Sequence, residues 1–297
     1  MPELRSKGST MAICTILVSI DGTEASRNAL QVAFAFARSY ETNVSVLHVQ
    51  TDPKDMVPLL GEGMSVAMIE DMIDVAERER NKRADIAKSL FEDTVSKYGA
   101  TIAEHPSREG FSACWILENG REDDVLTKYG RLADIIVVPR PTKSSDVSAN
   151  LNINAALFES GRAVLMVPPT FDKKVGGNVV VSWNGSVQSA RAVRASISIL
   201  EAAADVTVIT VKGERVSKDR GPELASYLGW HGIFPKMRSI SGSASTVGPR
   251  LLEDVNNIKA DLLVMGAYTH SRMRQLILGG VTRHILESAE IPVFMAH

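Results

Sequence analysis

The chain has 297 residues, of which 44 % are hydrophobic and 23 % charged, and its formal net charge is −2. This length accommodates two domains of ordinary size, and the charge balance gives no reason to expect a nucleic-acid partner. No apolar run approaches the roughly eighteen residues of a membrane span, and residues 1–10 lack the apolar core of a signal peptide. We therefore expect a cytoplasmic protein with no membrane partner; residues 1–10 are a flexible arm or precede a native start at Met11.

The first part of the chain alternates between apolar runs and helical spacing. The run ICTILVSI at 13–20 predicts a strand, apolar residues spaced near 3.6 over 24–40 predict a helix, and NVSVLHV at 43–49 predicts a second strand. A strand, a helix and a strand in this order are typical of a parallel α/β protein.

Residues 50–98 form a segment that such a unit does not require. Its beginning is rich in turn residues, and from about Ser65 it reads as a long charged helix. Glu79 and Arg83 are spaced for an ion pair four residues apart, as are Asp74 and Arg78. We interpret the segment as a helical insertion with a solvated face; a docking surface is the alternative.

After Gly99 the alternation resumes and ends in a linker. The predicted elements are a strand at 100–105, a helix at 122–129, a strand at 133–139, a helix at 147–160 and a strand at 162–167. The run PPTFDKKVGGN at 168–178 has the composition of a linker.

Beyond this linker the same order of blocks returns. Four blocks of the second half match the first: 178–186 matches 15–23, 205–211 matches 43–49, 260–266 matches 133–139, and 285–288 matches 157–160. The chain is therefore predicted to be a tandem duplication, with domains at 11–170 and 176–297. Each copy reads as a doubly wound, five-stranded parallel sheet with helices on both faces, an α/β fold.

One stretch of the second copy has the outline of an anion site. The run LLVM before Gly266 predicts a buried strand, and a later helix is entered through Gly279, Gly280 and Thr282. Glycines at the carboxyl end of a parallel strand and at a helix start present backbone N–H groups to an anion. The spacing fits neither the dinucleotide fingerprint nor a P-loop.

This stretch, with the earlier strand VVVSWNG, resembles the universal stress protein (UspA-like) family, whose nucleotide-binding members carry Gly-x2-Gly-x9-Gly-Ser/Thr here. Gly266 fills the first glycine position and Gly279 the third. Thr269 stands at the second glycine position and Gly280 at the hydroxyl position, with Thr282 two residues further on.

The resemblance implies an adenine nucleotide alpha-hydrolase-like fold with strand order 3-2-1-4-5 in each copy. It further implies that the copies pair about a pseudo-two-fold axis through their last strands, 162–167 and 291–296; a further dimer stays open. It implies ATP or AMP as ligand, with Mg²⁺ if the ligand is ATP. By the same resemblance Asn184 would hold the ribose and Val211 the adenine, and the phosphates would lie at Gly266, Gly279, Gly280 and Thr282.

The first copy lacks this cradle. Its fourth strand ends in Pro139, which has no N–H, and no glycine occurs between Pro139 and Ser160. We therefore expect a degenerate first site. In the second copy five residues near the loop would either compensate with positive charge or be ordinary surface charge: His270, Arg272, Arg274, Arg283 and His284.

Motifs of catalysis and metal binding are absent from the sequence. It has no Gly-x-Ser-x-Gly elbow, no His-Glu-x-x-His motif and no Cys/His cluster, and His48 inside a strand is interpreted as structural. The resemblance implies a stress-response factor with an adenine-nucleotide regulatory site and at most weak nucleotide hydrolysis. A nucleotide-independent interaction module of the same fold and a phosphoryl-transfer enzyme are the alternatives.

Overall fold

The computed structural model describes residues 13–51, 65–105, 110–141, 147–212, 220–242, 244–268 and 280–297. The chain divides into two compact units, which consist mainly of residues 15–162 and 172–297. The pairing of the two copies through their last strands stays a prediction from the family resemblance.

The first unit is a parallel sheet with helices between its strands. Its elements are β1 (Thr15–Ser19), α1 (Glu24–Tyr40), β2 (Asn43–Gln50), α2 (Val66–Tyr98), β3 (Thr101–Ile102), β4 (Ser112–Asn119), α3 (Glu122–Gly130), β5 (Ile135–Pro139), α4 (Val147–Glu159) and β6 (Ala163–Val167). The strand order is β3-β4-β2-β1-β5-β6, so the predicted order 3-2-1-4-5 is present, with one additional strand at the edge.

The third strand of this unit is not the predicted one. Thr101 and Ile102 form only a two-residue, exposed edge strand, and the long partner of β2 is β4. Every residue of β2 pairs in parallel register with one residue of β4, from Asn43 with Ser112 to Gln50 with Asn119. The run SACWILEN forms a strand because its neighbour offers a full ladder of backbone partners.

Helix α2 is longer than a crossover requires. Ser65 caps its start, since the Ser65 hydroxyl oxygen accepts a hydrogen bond from the Met68 N–H at 3.3 Å. Only the second half buries a face, with Ala87, Leu90 and Phe91 at 0–3 % exposure. The helix is therefore a crossover in its second half and a largely exposed extension in its first.

The second unit repeats the sheet with shorter connections. Its elements are β7 (Asn178–Trp183), α5 (Val187–Ala202), β8 (Asp205–Lys212), α6 (Gly221–Gly229), β9 (Lys236–Ser241), α7 (Ala244–Asn257), β10 (Leu262–Gly266), α8 (Gly280–Ser288) and β11 (Val293–Ala296). The strand order β9-β8-β7-β10-β11 is the predicted 3-2-1-4-5, and all four pairings are parallel. The central strands are buried on both faces, as parallel strands covered by helices must be.

Within the described ranges, no helix combines the length and the apolar character needed to cross a bilayer.

Candidate functional site

The turn after β7 places Asn184 at the carboxyl edge of the second sheet. The side-chain oxygen of Asn184 accepts a hydrogen bond from the Ser186 N–H at 3.1 Å, and Gly185 between them has a φ of 73°. Ser186 in turn caps α5, because its hydroxyl oxygen accepts from the Ser189 N–H at 3.1 Å. The Asn184 oxygen therefore serves the turn, and the side-chain NH2 group of this exposed residue can still donate.

Gly266, at the end of β10, lies against the start of α5. A Cβ at this position would lie 2.4 Å from the Ser189 nitrogen and 2.7 Å from the Gln188 carbonyl carbon. Both are backbone atoms that cannot move aside cheaply, so only glycine fits there. This packing explains Gly266 whether or not a ligand binds.

The residues after β10 are tied to the start of α8. Tyr268 adopts a left-handed conformation with a φ of 56°, and its N–H donates to the Thr282 hydroxyl oxygen at 3.3 Å. Thr282 is only 5 % exposed, and burial raises the pKa of Tyr268 to about 12. The Thr282 oxygen accepts this hydrogen bond, and a hydroxyl group can also donate one.

These residues surround a small cavity, which we call the second-unit pocket. It lies between the carboxyl ends of β7 and β10, where the strand order reverses, and has a volume of about 90 Å³. Its lining consists of Ser182, Asn184, Val247, Met265, Gly266, Val281 and Thr282. In a doubly wound sheet this is the position at which ligands bind.

The corresponding edge of the first unit carries a larger and more charged cavity, which we call the first-unit cleft. Its volume is about 760 Å³. It lies beyond β1, β2 and β4, and α2, α3 and α4 supply its walls; the lining includes Asp21, His48, Gln50, Arg80, Arg83, Arg121, Glu122 and Asn152.

Two carboxyl groups of this cleft have shifted pKa values, Glu122 and Asp123, and Glu122 is the more deeply buried. The Ser19 hydroxyl donates to its Oε1 at 3.1 Å, and Asn152 also hydrogen-bonds it. Burial raises the pKa of Glu122 and the nearby Asp21 charge acts in the same direction, while the hydrogen bonds and His48 act against it. A carboxyl group held this way is easier to protonate than one in water.

His48 is a structural residue, as predicted. Its Nδ1 lies 2.8 Å from the carbonyl oxygen of Ile20, the residue is 4 % exposed, and its ring stacks on Trp115 at a centroid distance of 6.1 Å. These contacts fix the ring between β1 and β4.

The profile of the Universal stress protein family matches residues 13–139 and 240–297. The chain belongs to the universal stress protein family. The resemblance seen in the sequence is thereby confirmed at the level of the family.

Several relatives match the chain over nearly its whole length. The chain is 23 % identical to the universal stress protein Slr1230 of Synechocystis sp., and the match covers 94 % of this chain and 98 % of that protein. A crystal structure of a universal stress protein from Archaeoglobus fulgidus matches with a TM-score of 0.68 at 16 % identity, covering 95 % and 97 % of the two chains. A Pseudomonas aeruginosa protein of unknown function matches with a TM-score of 0.56 at 13 % identity, covering 95 % and 92 %. At these identities the structures support the fold.

Three of the six site residues predicted for this universal stress protein lie together. Asn184, Gly266 and Thr282 line the second-unit pocket, whereas Gly280 is the exposed first residue of α8 and does not line it. Val211 lies in β8, where it pairs with Ile240 of β9. Gly279 lies outside the described residues, as do Thr269, His270, Arg272 and Arg274.

Two residues of the predicted cationic cluster, Arg283 and His284, lie in the described part of the chain, and both contact other residues of the protein. Arg283 forms an ion pair with Glu287 at 2.7 Å, four residues along α8, and both side chains are exposed. His284 packs against Gly248 of α7, where an added Cβ would lie 3.1 Å from the His284 ring. Arg283 is therefore helix-surface charge, which was one of the two interpretations of this cluster.

Sequence reasoning missed the first-unit cleft. The sequence predicts that a helix begins at Glu122. Because strand β4 was not predicted, the sequence did not place Glu122 at the carboxyl edge of the sheet. The predicted ion pair between Glu79 and Arg83 does not form among the described residues. The Glu79 Oε1 lies 3.9 Å from the Lys82 Nζ instead, and Arg83 lines the cleft. In the described part of the chain, no group of three or more His, Cys, Asp and Glu side chains is arranged to hold a metal ion.

Proposed function

We propose that the protein is a stress-response factor whose second unit binds an adenine nucleotide, ATP or AMP, as a regulatory ligand. The observation that carries this proposal is the convergence of Asn184, Gly266 and Thr282 on one pocket at the reversal of the strand order. Family membership supports it. No strong catalytic activity is proposed.

Each residue has a role that its chemistry allows. The Asn184 amide group would hold the ribose, and backbone groups of Val211 on the neighbouring strand would hold the adenine. The phosphates would face the start of α8, where the N–H groups of Gly279 and Gly280 and the Thr282 hydroxyl can donate. Mg²⁺ would accompany ATP by neutralising its phosphate charge.

The described part of the pocket encloses only a fraction of such a ligand. Its 90 Å³ is well below the range of about 300–1,000 Å³ in which pockets enclose most of a drug-sized molecule. We therefore expect weak binding, with dissociation constants on the order of 0.1–1 mM, equivalent to about 4–5.5 kcal/mol.

The test combines co-purification with calorimetry. The protein is purified and denatured, and the supernatant is assayed for ATP, ADP and AMP; ATP and AMP are then titrated into the intact chain. Two substitutions move the site toward the pattern of nucleotide-binding relatives, Asn184→Asp and Gly280→Ser. Each is expected to tighten binding about three- to tenfold. The carboxylate that the first change creates can keep one oxygen in the turn and offer the other, charged oxygen to the ribose hydroxyls in place of the amide group, and the second change adds a hydroxyl donor for the phosphates.

Loss-of-function variants complete this test. Thr282→Val removes the hydroxyl at constant shape and should weaken binding, while Thr282→Ser keeps the hydroxyl and should restore it. Absence of nucleotide in the supernatant, together with titrations that stay flat for the wild type and both strengthened variants, would refute the proposal.

One observation favours the second candidate, a nucleotide-independent interaction module. The exposed first half of α2 carries Met68, Met72 and Val75 at spacings of four and three residues, and they are 54 %, 40 % and 57 % exposed. Such a stripe lies on one face of the helix. If this face is the functional one, Met72→Glu abolishes cross-linking of the protein to its partner in a lysate, and adding nucleotide changes nothing.

A further inference from the structure

Two residues that line the first-unit cleft each have a buried side-chain polar atom without a hydrogen-bond partner in the described part of the chain. These atoms are the Nε of Arg80, on α2, and the side-chain oxygen of Asn152, on α4. A buried polar atom without a partner costs free energy, and a ligand that supplies the partner recovers it.

The α2 wall of the cleft carries two arginines and one carboxylate, Glu79, and three further carboxylates line the cleft: Asp21, Glu122 and Asp123. Arg80 and Arg83 lie about one turn apart, and neither has an ion pair among the described residues, since Glu79 contacts Lys82 instead. Arg121, by contrast, is held by Asp123 at 2.7 Å and Asp124 at 3.7 Å. Two unpaired guanidinium groups on one wall favour an anionic group opposite them.

The α3 and α4 walls offer hydrogen-bond acceptors. Asn152 hydrogen-bonds the Glu122 carboxyl group, and its own oxygen is left over. One oxygen of the Asp21 carboxylate is already engaged, because Oδ1 accepts from the Thr23 N–H at 2.9 Å and the Thr23 hydroxyl at 2.7 Å. An incoming O–H or N–H group would therefore find an acceptor at Asn152 or at the second oxygen of Asp21.

Backbone N–H groups at the end of β5 do not serve an anion here. Pro139 has no N–H, and the Arg140 N–H donates to the Val167 carbonyl oxygen at 2.7 Å. At the described residues of this strand end, anion contacts therefore have to come from side chains, in contrast to the glycine N–H groups invoked for the second unit.

We propose that the first-unit cleft binds a small, hydroxylated organic anion. The anionic group, a phosphate or a carboxylate, pairs with Arg80 and Arg83, and a hydroxyl group donates to the Asn152 side-chain oxygen. The volume of about 760 Å³ lies within the range of about 300–1,000 Å³ in which pockets enclose drug-sized ligands, so it leaves room for a ligand of sugar size. The proposal is independent of nucleotide binding in the second unit.

The experiment is calorimetry on the full chain with four probes. Ribose 5-phosphate and gluconate each combine an anionic group with hydroxyl groups, whereas ribose and inorganic phosphate each supply only one of the two. Saturable binding is expected for at least one of the two complete probes and at least tenfold weaker binding for the incomplete ones. The complete probe that binds more tightly identifies the anionic group.

Variants assign the binding to the cleft. Arg80→Met should weaken binding about 10- to 100-fold, the loss expected for a hydrogen bond to a charged group. Arg78→Met is the matched control, because Arg78 is exposed on the same helix and does not line the cleft. Thr282→Val should leave this binding unchanged, which separates it from the second-unit pocket.

Three results would overturn the proposal: flat titrations with both complete probes, inorganic phosphate binding as tightly as ribose 5-phosphate, or equal affinity of wild type and Arg80→Met. Circular dichroism verifies that Arg80→Met is folded. Arg80→Lys provides a second variant, which keeps the charge and should retain part of the affinity.

Discussion

The turn after the first strand is built in the same way in both units. In the first, the Asp21 carboxylate accepts from the Thr23 N–H at 2.9 Å; in the second, the Asn184 side chain accepts from the Ser186 N–H at 3.1 Å. Gly22 and Gly185 adopt φ values of 85° and 73°, and Thr23 and Ser186 cap the following helices. The exchange of Asp for Asn therefore preserves the turn and removes only the charge.

The units differ in the walls around this turn. The helix after the second strand has 33 residues in the first unit and nine in the second. The fourth strand ends in Pro139 in one and in Gly266 in the other. The same sheet thus supports a charged cleft of about 760 Å³ and a pocket of about 90 Å³. The crossover helix and one strand end, rather than the sheet, set the chemistry at each edge.

The largest expected effect concerns the aspartate that precedes the fourth strand in each unit, Asp134 in the first and Asp261 in the second. Asp261 accepts hydrogen bonds from the N–H groups of Gly176, Gly177 and Asn178 at 2.8–3.0 Å. Its counterpart Asp134 accepts from the N–H and the hydroxyl of Thr15, at 3.0 and 3.4 Å. Asp261→Ala should therefore cost about 2–4 kcal/mol in the free energy of unfolding of the second unit, and Asp134→Ala about 1 kcal/mol in the first.

Hydrogen exchange measured by mass spectrometry assigns the loss to a unit. Protection should fall in β7 and β10 for Asp261→Ala and in β1 and β5 for Asp134→Ala. Asp261→Asn keeps one side-chain oxygen and should show a smaller loss than Asp261→Ala. Equal losses in the two units would contradict the difference in hydrogen bonding.

A smaller effect is expected at the end of the fourth strand. Gly266→Ala places a Cβ within 2.4 Å of the Ser189 nitrogen, and overpacking of this kind typically costs about 1–3 kcal/mol. Gly229→Ala is the matched control, because nothing lies within 4 Å of the added Cβ and the residue is helical. That control should stabilise the unit by about 0.5 kcal/mol. Melting temperatures that shift equally in the two variants would contradict the packing explanation of Gly266.

Much of the fold could be predicted because the duplication repeats its signals. The matched blocks around Thr15–Ser19 and Asn178–Trp183 are buried apolar runs, which predict central parallel strands. Strand β4 was not predicted, because only its first residues, Ser112 and Ala113, are buried and its sequence therefore shows only a weak hydrophobic pattern. Its conformation depends on pairing with β2, which no local pattern reports.

The sites were predictable to different degrees for the same reason. Asn184 and Gly266 stand beside strand ends that the sequence marks, so their convergence follows from topology. The first-unit cleft depends on Arg80 in a long polar helix and on Asn152 in a helix near the end of the copy. Their neighbourhood is set by the packing of α2 and α4, and charged residues on a helix more often face solvent.

The smallest predicted effect is the pH dependence of the folding stability that the buried Glu122 carboxyl group of the cleft causes. Burial raises the pKa of Glu122 in the folded protein above its value in the unfolded chain. Between those two values the folded state holds more protons, so stability falls as the pH rises through this window. Above the folded-state pKa the buried charge is a constant cost. Glu122→Gln, which still accepts from the Ser19 hydroxyl, should flatten this slope and be at least as stable as the wild type at neutral pH.

Asp123, the next residue, provides a control of opposite sign. Its hydrogen bond to Arg121 lowers the pKa of Asp123, so its contribution is present above the unfolded-state pKa and is lost as the pH falls. Asp123→Asn should therefore lower stability at neutral pH and have little effect in acid, while Glu122→Gln acts in the other direction. Melting temperatures of both variants between pH 4 and pH 8 test this, and parallel shifts of the two would mean that Glu122 is not buried as a charge in the cleft.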